Sequence, residues 1–150
     1  MLRTIRRQQD DMRSTLKAAE AILIRSGDLE TVELGQIRWQ LALQLKTYTE
    51  FKHQTVFPTL LQSSDPVVRE LSMRMRGRCD AMGVLYKAYL ADWSVVRVFE
   101  QKAKYRVAAL EMIGRLRQHF EREQADVVRL TERPEAKPVY LPPRAARSGF

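Results

Sequence analysis

The chain of 150 residues is long enough for one domain with a sizeable apolar core, and its 45% hydrophobic and 29% charged residues are typical of a soluble globular protein. Its single cysteine excludes an intramolecular disulfide and any Cys-x-x-Cys metal or redox motif, so a reducing cytoplasm is the expected location. The charged start "MLRTIRRQQDDMR" lacks the apolar run of a signal peptide, and no stretch approaches the roughly 18 apolar residues that cross a membrane.

The formal net charge of +8 raises the question of an anionic partner. The excess lies mainly at the two ends: residues 1–26 carry six basic and three acidic side chains, and residues 133–150 carry four and one. The middle of the chain is nearly balanced. This distribution favours a solvated surface with a basic tail over a dedicated nucleic-acid groove.

Apolar residues recur every three or four positions, which predicts helices nearly throughout. The first helix is expected over about residues 3–25, ending before Gly27, and the second over about 30–62, where Pro58 should kink or end it. The inward stripe of the first helix comprises Ile5, Met12, Leu16, Ala19 and Leu23. That of the second comprises Leu34, Ile37, Leu41, Leu45, Tyr48 and Phe51.

The third helix begins at the clearest start signal, where Asp65 can cap free backbone N–H groups and Pro66 suits the first helical position. It should reach about residue 93. An irregular connection near 94–101 should then precede a fourth helix over 102–132. One continuous helix would be about 100 Å long, which is too long for the other helices to cover. The third stripe comprises Val68, Leu71, Met75, Cys79, Met82, Tyr86, Tyr89 and Trp93. The fourth comprises Tyr105, Ala109, Met112, Leu116, His119 or Phe120, Val127 and Leu130.

Four amphipathic helices with short connections bury their stripes most simply as an antiparallel up-down four-helix bundle, so the predicted fold is all-α. The bundle is assigned to residues 1–132. Residues 133–150, "RPEAKPVYLPPRAARSGF", form a Pro/Arg-rich tail without apolar periodicity, and we expect this tail to be flexible. The segment "PVYLPPR" could instead dock on a partner as a polyproline helix.

Two stretches, "YTEFKHQTVFP" in the second helix and "HFEREQADVVRL" in the fourth, resemble the hemerythrin-like, or HHE, domain. In that family, helices two and four carry a histidine followed by a carboxylate four or five residues later, and a Phe-Pro pair often closes helix two. The resemblance covers about residues 3–132. It implies a four-helix bundle whose core binds two irons through histidines and carboxylates, a bacterial context, and a role in sensing, binding or storing oxygen, nitric oxide or iron.

Most ligand positions that the resemblance implies carry other residues in this chain. In chain order those positions fall at Gln9, Tyr48, Lys52, Asp80, Val84, His119 and Gln124, with Glu123 beside the last. Only His119 matches the family pattern, and an ammonium group at Lys52 would repel a metal cation. The implied iron site is therefore incomplete, and no catalytic, cofactor-binding or metal-ligating residue is assigned.

The lysine suggests a more specific hypothesis. The charge of Lys52 takes the electrostatic place of the metal and is compensated inside the bundle by Asp80 or Glu123. The chain is then expected to be a non-enzymatic, cofactor-free, regulatory or protein-interaction module of hemerythrin-like type. Its expected partner is a protein, and a homodimer could form through an exposed Trp39 or Phe51. A membrane partner is not expected.

Two alternatives of other classes stay open. A metal-binding sensor or carrier could use an unusual iron site of His119, Glu123, Tyr48 and Asp80, since tyrosinate is an acceptable ferric ligand. A basic nucleic-acid-binding protein could use two groups of arginines, at the start of the chain and in "MRMRGR". These arginines are Arg3, Arg6, Arg7, Arg74, Arg76 and Arg78.

The polar residues also have purely structural interpretations. His119 fits a hydrogen-bonded histidine at the boundary of the core, His53 fits a surface residue, and the tyrosines fit amphipathic core positions. Cys79 lies on an apolar stripe with no base nearby in sequence, so we interpret it as a small buried residue and not as a nucleophile.

Overall fold

The computed structural model describes residues 1–133 and places nearly all of them in helices. In chain order the helices are α1 (Leu2–Leu23), α2 (Thr31–Phe51), α3 (Phe57–Leu61), α4 (Pro66–Asp92), α5 (Val95–Glu100) and α6 (Lys102–Glu132). A π-helical segment, Lys52–Val56, joins α2 to α3. Residues 1–133 contain no strand, and none of their helices is long and apolar enough to cross a membrane. The predicted all-α class is confirmed.

The long helices α1, α2, α4 and α6 pack side by side with antiparallel neighbours. Gln9 near the start of α1 contacts Glu123 near the end of α6, whereas Glu20 further along α1 contacts Arg117 further back in α6. Side-chain contacts between α4 and α6 have the same inverted order. Backbone packing is close between α1 and α2, α1 and α6, and α4 and α6, but sparse between α2 and α4.

The predicted apolar stripes form one core. Every predicted inward residue of α1 is buried, and so are most of those of α6. The residues that stay partly exposed lie mainly on α2 and α4: Ile37, Leu45, Phe51, Met82, Tyr86 and Tyr89. These side chains pack against the core but stay partly accessible to solvent, because α2 and α4 make few backbone contacts with each other.

Asp65 caps α4 as its sequence position predicts. One carboxylate oxygen accepts a hydrogen bond from the Val67 N–H at 2.9 Å, and the other accepts one from Arg133 Nε at 2.6 Å. The same side chain therefore satisfies a free backbone N–H at the start of α4 and links this helix end to the residue that follows α6. The predicted tail beyond Arg133 lies outside the described residues.

One connection agrees with the prediction and the other differs from it in detail. The helical path continues past Pro58 to Leu61, within the expected range of about 30–62, and the wider π turn before the proline relieves the clash that proline makes with the preceding helical turn. The expected irregular connection near 94–101 contains the short helix α5, which begins after the capping hydroxyl of Ser94 and is separated from α6 at Gln101.

Candidate functional site

Four polar side chains meet in the interior of the helical core. They are Gln9 from α1, Tyr48 from α2, Lys52 at the start of the π segment and Glu123 from α6, and each is at most 3% exposed. We call these four residues the core polar cluster. Polar groups at this depth are costly unless they bond to one another, so their geometry decides what the cluster can do.

Glu123 is the centre of the cluster. Lys52 Nζ donates to one carboxylate oxygen at 2.8 Å, while the Tyr48 hydroxyl donates to the other oxygen and Gln9 Nε2 donates to that same oxygen at 3.1 Å. Gln9 Nε2 also donates to the Tyr48 hydroxyl oxygen at 2.9 Å. The ammonium of Lys52 lies 4.0 Å from the centre of the Tyr48 ring, which adds a cation–π contact.

The charges within the cluster compensate each other. Burial opposes ionisation of Glu123, but the nearby charge of Lys52 and the hydrogen bonds from Lys52 and Tyr48 outweigh burial and lower the pKa of the Glu123 carboxyl. Burial, followed by the adjacent Glu123 charge, raises the pKa of Tyr48, so the phenol keeps its proton. The cluster is thus a carboxylate with one ammonium and two neutral donors, and it has no net charge.

His119 lies at the edge of the cluster, on the same face of α6 as Glu123. Its Nε2 is 3.8 Å from a Glu123 oxygen, and its side chain is 13% exposed. That distance favours an ion pair, but burial lowers the pKa of His119 more than Glu123 raises it, and the cations Lys52, Arg78 and Arg122 lower it further. His119 is therefore a neutral imidazole at pH 7.

His53 faces α4 instead of solvent, which corrects the sequence-based interpretation. Its Nε2 lies 3.1 Å from Asp80 Oδ1 and 3.9 Å from Cys79 Sγ, and its ring stands edge-on to that of Phe57. A base therefore does lie near Cys79. Both contacts use the same ring nitrogen, whereas a relay that activates a nucleophile needs both nitrogens. Burial raises the pKa of the Cys79 thiol despite the opposing charge of Lys52, so this contact is structural.

The structure brings together most positions at which the resemblance places ligands. Gln9, Tyr48, Lys52 and Glu123 bond to one another, with His119 beside them. The remaining positions lie elsewhere: Asp80 and Val84 are exposed on α4, and Gln124 accepts a hydrogen bond from Arg13. Position 123, and not position 124, thus faces the core, and Glu123 supplies the carboxylate there.

The residues present do not fit a di-iron centre. Within residues 1–133, no three His, Cys, Asp or Glu side chains converge in an arrangement that could hold a metal ion. One Glu123 oxygen accepts a hydrogen bond from the Lys52 ammonium, whose charge would repel a metal cation at the same carboxylate. Of the four residues proposed for an unusual iron site, His119, Glu123 and Tyr48 are neighbours, but Asp80 pairs with His53.

The arginines of the nucleic-acid alternative are mostly solvent-exposed. Those at the start of α1 and two in α4 are exposed, whereas Arg78 pairs with the buried Asp126. Both groups lie near the same end of the molecule, since Gln9 and Arg78 contact neighbouring turns of α6. Nucleic-acid binding stays a prediction.

Comparisons of the chain with protein-family models, with curated proteins and with solved structures found no match. The hemerythrin-like resemblance consequently stays a prediction that rests on the residues of the second and fourth predicted helices.

Proposed function

We propose that this chain is a non-enzymatic regulatory or protein-interaction module, built as a hemerythrin-like antiparallel four-helix bundle, in which the Lys52–Glu123 ion pair takes the electrostatic place of a metal site. The observation that carries the proposal is the 2.8 Å contact between Lys52 Nζ and Glu123 Oε2 in the interior of the core. A cation at that position is bound covalently to the chain, so an exchangeable ion is not required for charge balance.

The energetics of buried charges support this role for the pair. Two buried ions are tolerated only when their geometry is good and additional hydrogen bonds satisfy the remaining lone pairs. Glu123 accepts three hydrogen bonds from the cluster, and its two oxygens share the donors between them. A metal in such a core would instead be bound by carboxylate oxygens and imidazole nitrogens, so in this chain the ammonium of Lys52 takes the place of the cation alone.

The protonation states of the interior support a non-enzymatic role. The raised pKa values of Tyr48 and Cys79 leave both groups protonated and weakly reactive at neutral pH. The carboxylate of Glu123 is held by three donors, so it is a poor general base. A bacterial-type cytoplasm is the proposed location, on the basis of the resemblance and the single cysteine.

Exposed apolar side chains on α2 and α5 support an interaction role. Trp39 is 68% exposed and Phe99 is 64% exposed, and Val32 and Val95, which line the same surface cavity, are exposed as well. We call these four residues the α2–α5 apolar face. Apolar side chains gathered in this way are typical of contact surfaces, whereas Phe51, the other aromatic proposed for dimerisation, is partly buried against the core.

Metal content and absorption spectra test the proposal. We expect protein purified without added metal, and protein loaded anaerobically with ferrous iron, to retain less than stoichiometric iron and to show no new visible absorption. Iron at one or two equivalents per chain that is lost in the His119→Ala variant would contradict the proposal. A tyrosinate-to-iron charge-transfer band would favour the sensor alternative through Tyr48.

A further inference from the structure

A groove opens beside the core polar cluster, between α2 and α4. Its cavity volume is about 340 Å³, which is within the range of small-molecule pockets. The walls are mainly apolar and include Leu45, Met82, Tyr86, Leu116 and Phe120. We call this opening the α2–α4 groove. Its cause is the sparse packing of these two helices, which leaves apolar side chains partly uncovered.

The base of the groove offers no site for a buried net charge. The side chains there include Tyr48, Lys52, Cys79 and His119. The charge of Lys52 is matched by that of Glu123. Burial lowers the pKa of His119 and raises the pKa values of Tyr48 and Cys79, so these three side chains are uncharged at pH 7. The part of a ligand that enters the groove must therefore be apolar, because an ion placed there would lose its hydration without gaining a free counter-charge.

The rim of the groove is different, because it carries exposed cations from both helices. Lys46 on α2 and Lys87 on α4 both line the opening, together with one acid, Glu50. Arg38 of α2 reaches Leu90 of α4, which places Lys46 and Lys87 on facing stretches of the antiparallel helices. Neither lysine forms an ion pair with any residue of the described range 1–133. The mouth thus has an excess of positive charge above an apolar interior.

We propose that the α2–α4 groove binds an amphipathic monoanion, namely a medium-chain carboxylate whose apolar chain fills the cavity and whose head group lies between Lys46 and Lys87. This site goes beyond the proposed function, because a protein-interaction module needs no small ligand.

Titration of the isotope-labelled full chain with decanoate, monitored by amide NMR below the micelle concentration of the ligand, tests the site. We expect saturable shifts concentrated on the stretches of α2 and α4 that line the groove. Shifts that do not saturate, or that are spread over the whole chain, would overturn the proposal.

A pair of glycine substitutions in α4 provides a matched test of the location. Gly83 lines the groove and Gly77 does not, and a Cβ at either position meets no atom within 4 Å. Leucine at either site should fold, since leucine is a better helix former than glycine. Gly83→Leu should weaken decanoate binding by about tenfold or more by filling the cavity, and Gly77→Leu should leave it unchanged. Equal affinities of the two variants would place the ligand elsewhere.

The head-group contact is tested with an uncharged ligand of the same chain length. Replacing both Lys46 and Lys87 with glutamine should weaken decanoate binding about threefold to fivefold, as expected for exposed charge pairs, and should leave decanol binding unchanged. Wild-type protein should also prefer decanoate to decanol. Equal affinity for both ligands, or equal loss of both in the double variant, would overturn the assignment of an anionic ligand.

Discussion

At the scale of single residues, the chemistry of the core depends on Lys52. A lysine in a protein interior is rare because its charge loses hydration, and here it is only 2% exposed. Glu123 compensates that charge at 2.8 Å, while Asp80, the other acid considered from the sequence, pairs with His53 on the outside of α4. Lys52 and Glu123 therefore depend on each other, and removal of either leaves an unpaired buried ion.

Replacing Lys52 with methionine tests this dependence. We expect the free energy of unfolding to fall by about 3–5 kcal/mol at pH 7, because Glu123 stays buried without its counter-ion. Urea denaturation provides the measurement. Lys46→Met, at an exposed site on the preceding helix α2, is the control and should change stability by less than about 0.5 kcal/mol.

The double variant Lys52→Met/Glu123→Gln should recover much of the loss, since it removes both charges and keeps a hydrogen-bonding side chain. A Lys52→Met protein as stable as the wild type, or more stable, would show that the pair does not hold the core together.

At the scale of secondary-structure elements, the π segment Lys52–Val56 determines which side chains enter the core. Residues five apart in a regular α-helix point roughly 140° away from each other, so Lys52 and Phe57 would lie on different faces. The wider turn, closed by the Phe57 N–H donating to the Lys52 carbonyl, brings both side chains inside. Within residues 1–133, the side chains of the α2–α5 apolar face stay exposed to solvent.

The α2–α5 apolar face predicts self-association. We expect sedimentation velocity to show a concentration-dependent dimer of the wild-type chain, because contact between two copies would remove Trp39 and its apolar neighbours from water. Trp39→Gln should shift the equilibrium toward monomer. Val84→Gln is the matched control, since Val84 is 71% exposed on α4, away from that face, and it should have no effect. A chain that stays monomeric at every concentration would contradict a homodimer.

At the scale of the whole molecule, the buried ionisable groups link folding to pH. His119 and Glu123 both have lowered pKa values in the folded chain. Each of these groups binds more protons in the unfolded chain than in the folded chain at any pH between its folded and its unfolded pKa. Acidification therefore favours unfolding in both cases, first through His119 below its ordinary pKa of 6.5 and then through Glu123 below 4.5.

The free energy of unfolding should accordingly decrease as the pH falls from 7 to 5, and it should decrease further below pH 4.5. Chemical denaturation at a series of pH values measures both ranges. In the His119→Gln variant the slope between pH 7 and 5 should be smaller, because glutamine has no proton to gain, while the loss at lower pH should remain. A variant with the wild-type slope in the upper range would rule out His119 as its source.

The sequence by itself determined the helices and their inward faces. Apolar periodicity identified the stripes of α1 and α6, and the Asp65-Pro66 pair located the start of α4, because these signals depend on contacts between residues within a few turns of each other. The alignment to a family pattern also selected Gln9, Tyr48, Lys52 and His119 as positions of interest. The sequence leaves open whether Asp80 or Glu123 is the partner of Lys52.

Only the tertiary structure decided that choice, since the pair joins residues 71 positions apart in sequence. It also placed His53 against Cys79 and opened the α2–α4 groove, because both follow from how α2 and α4 are spaced and from the π turn before Pro58. Helical periodicity specifies which face of a helix is apolar. It does not specify how closely two such faces approach, and that separation determines whether they form a closed core or an open site.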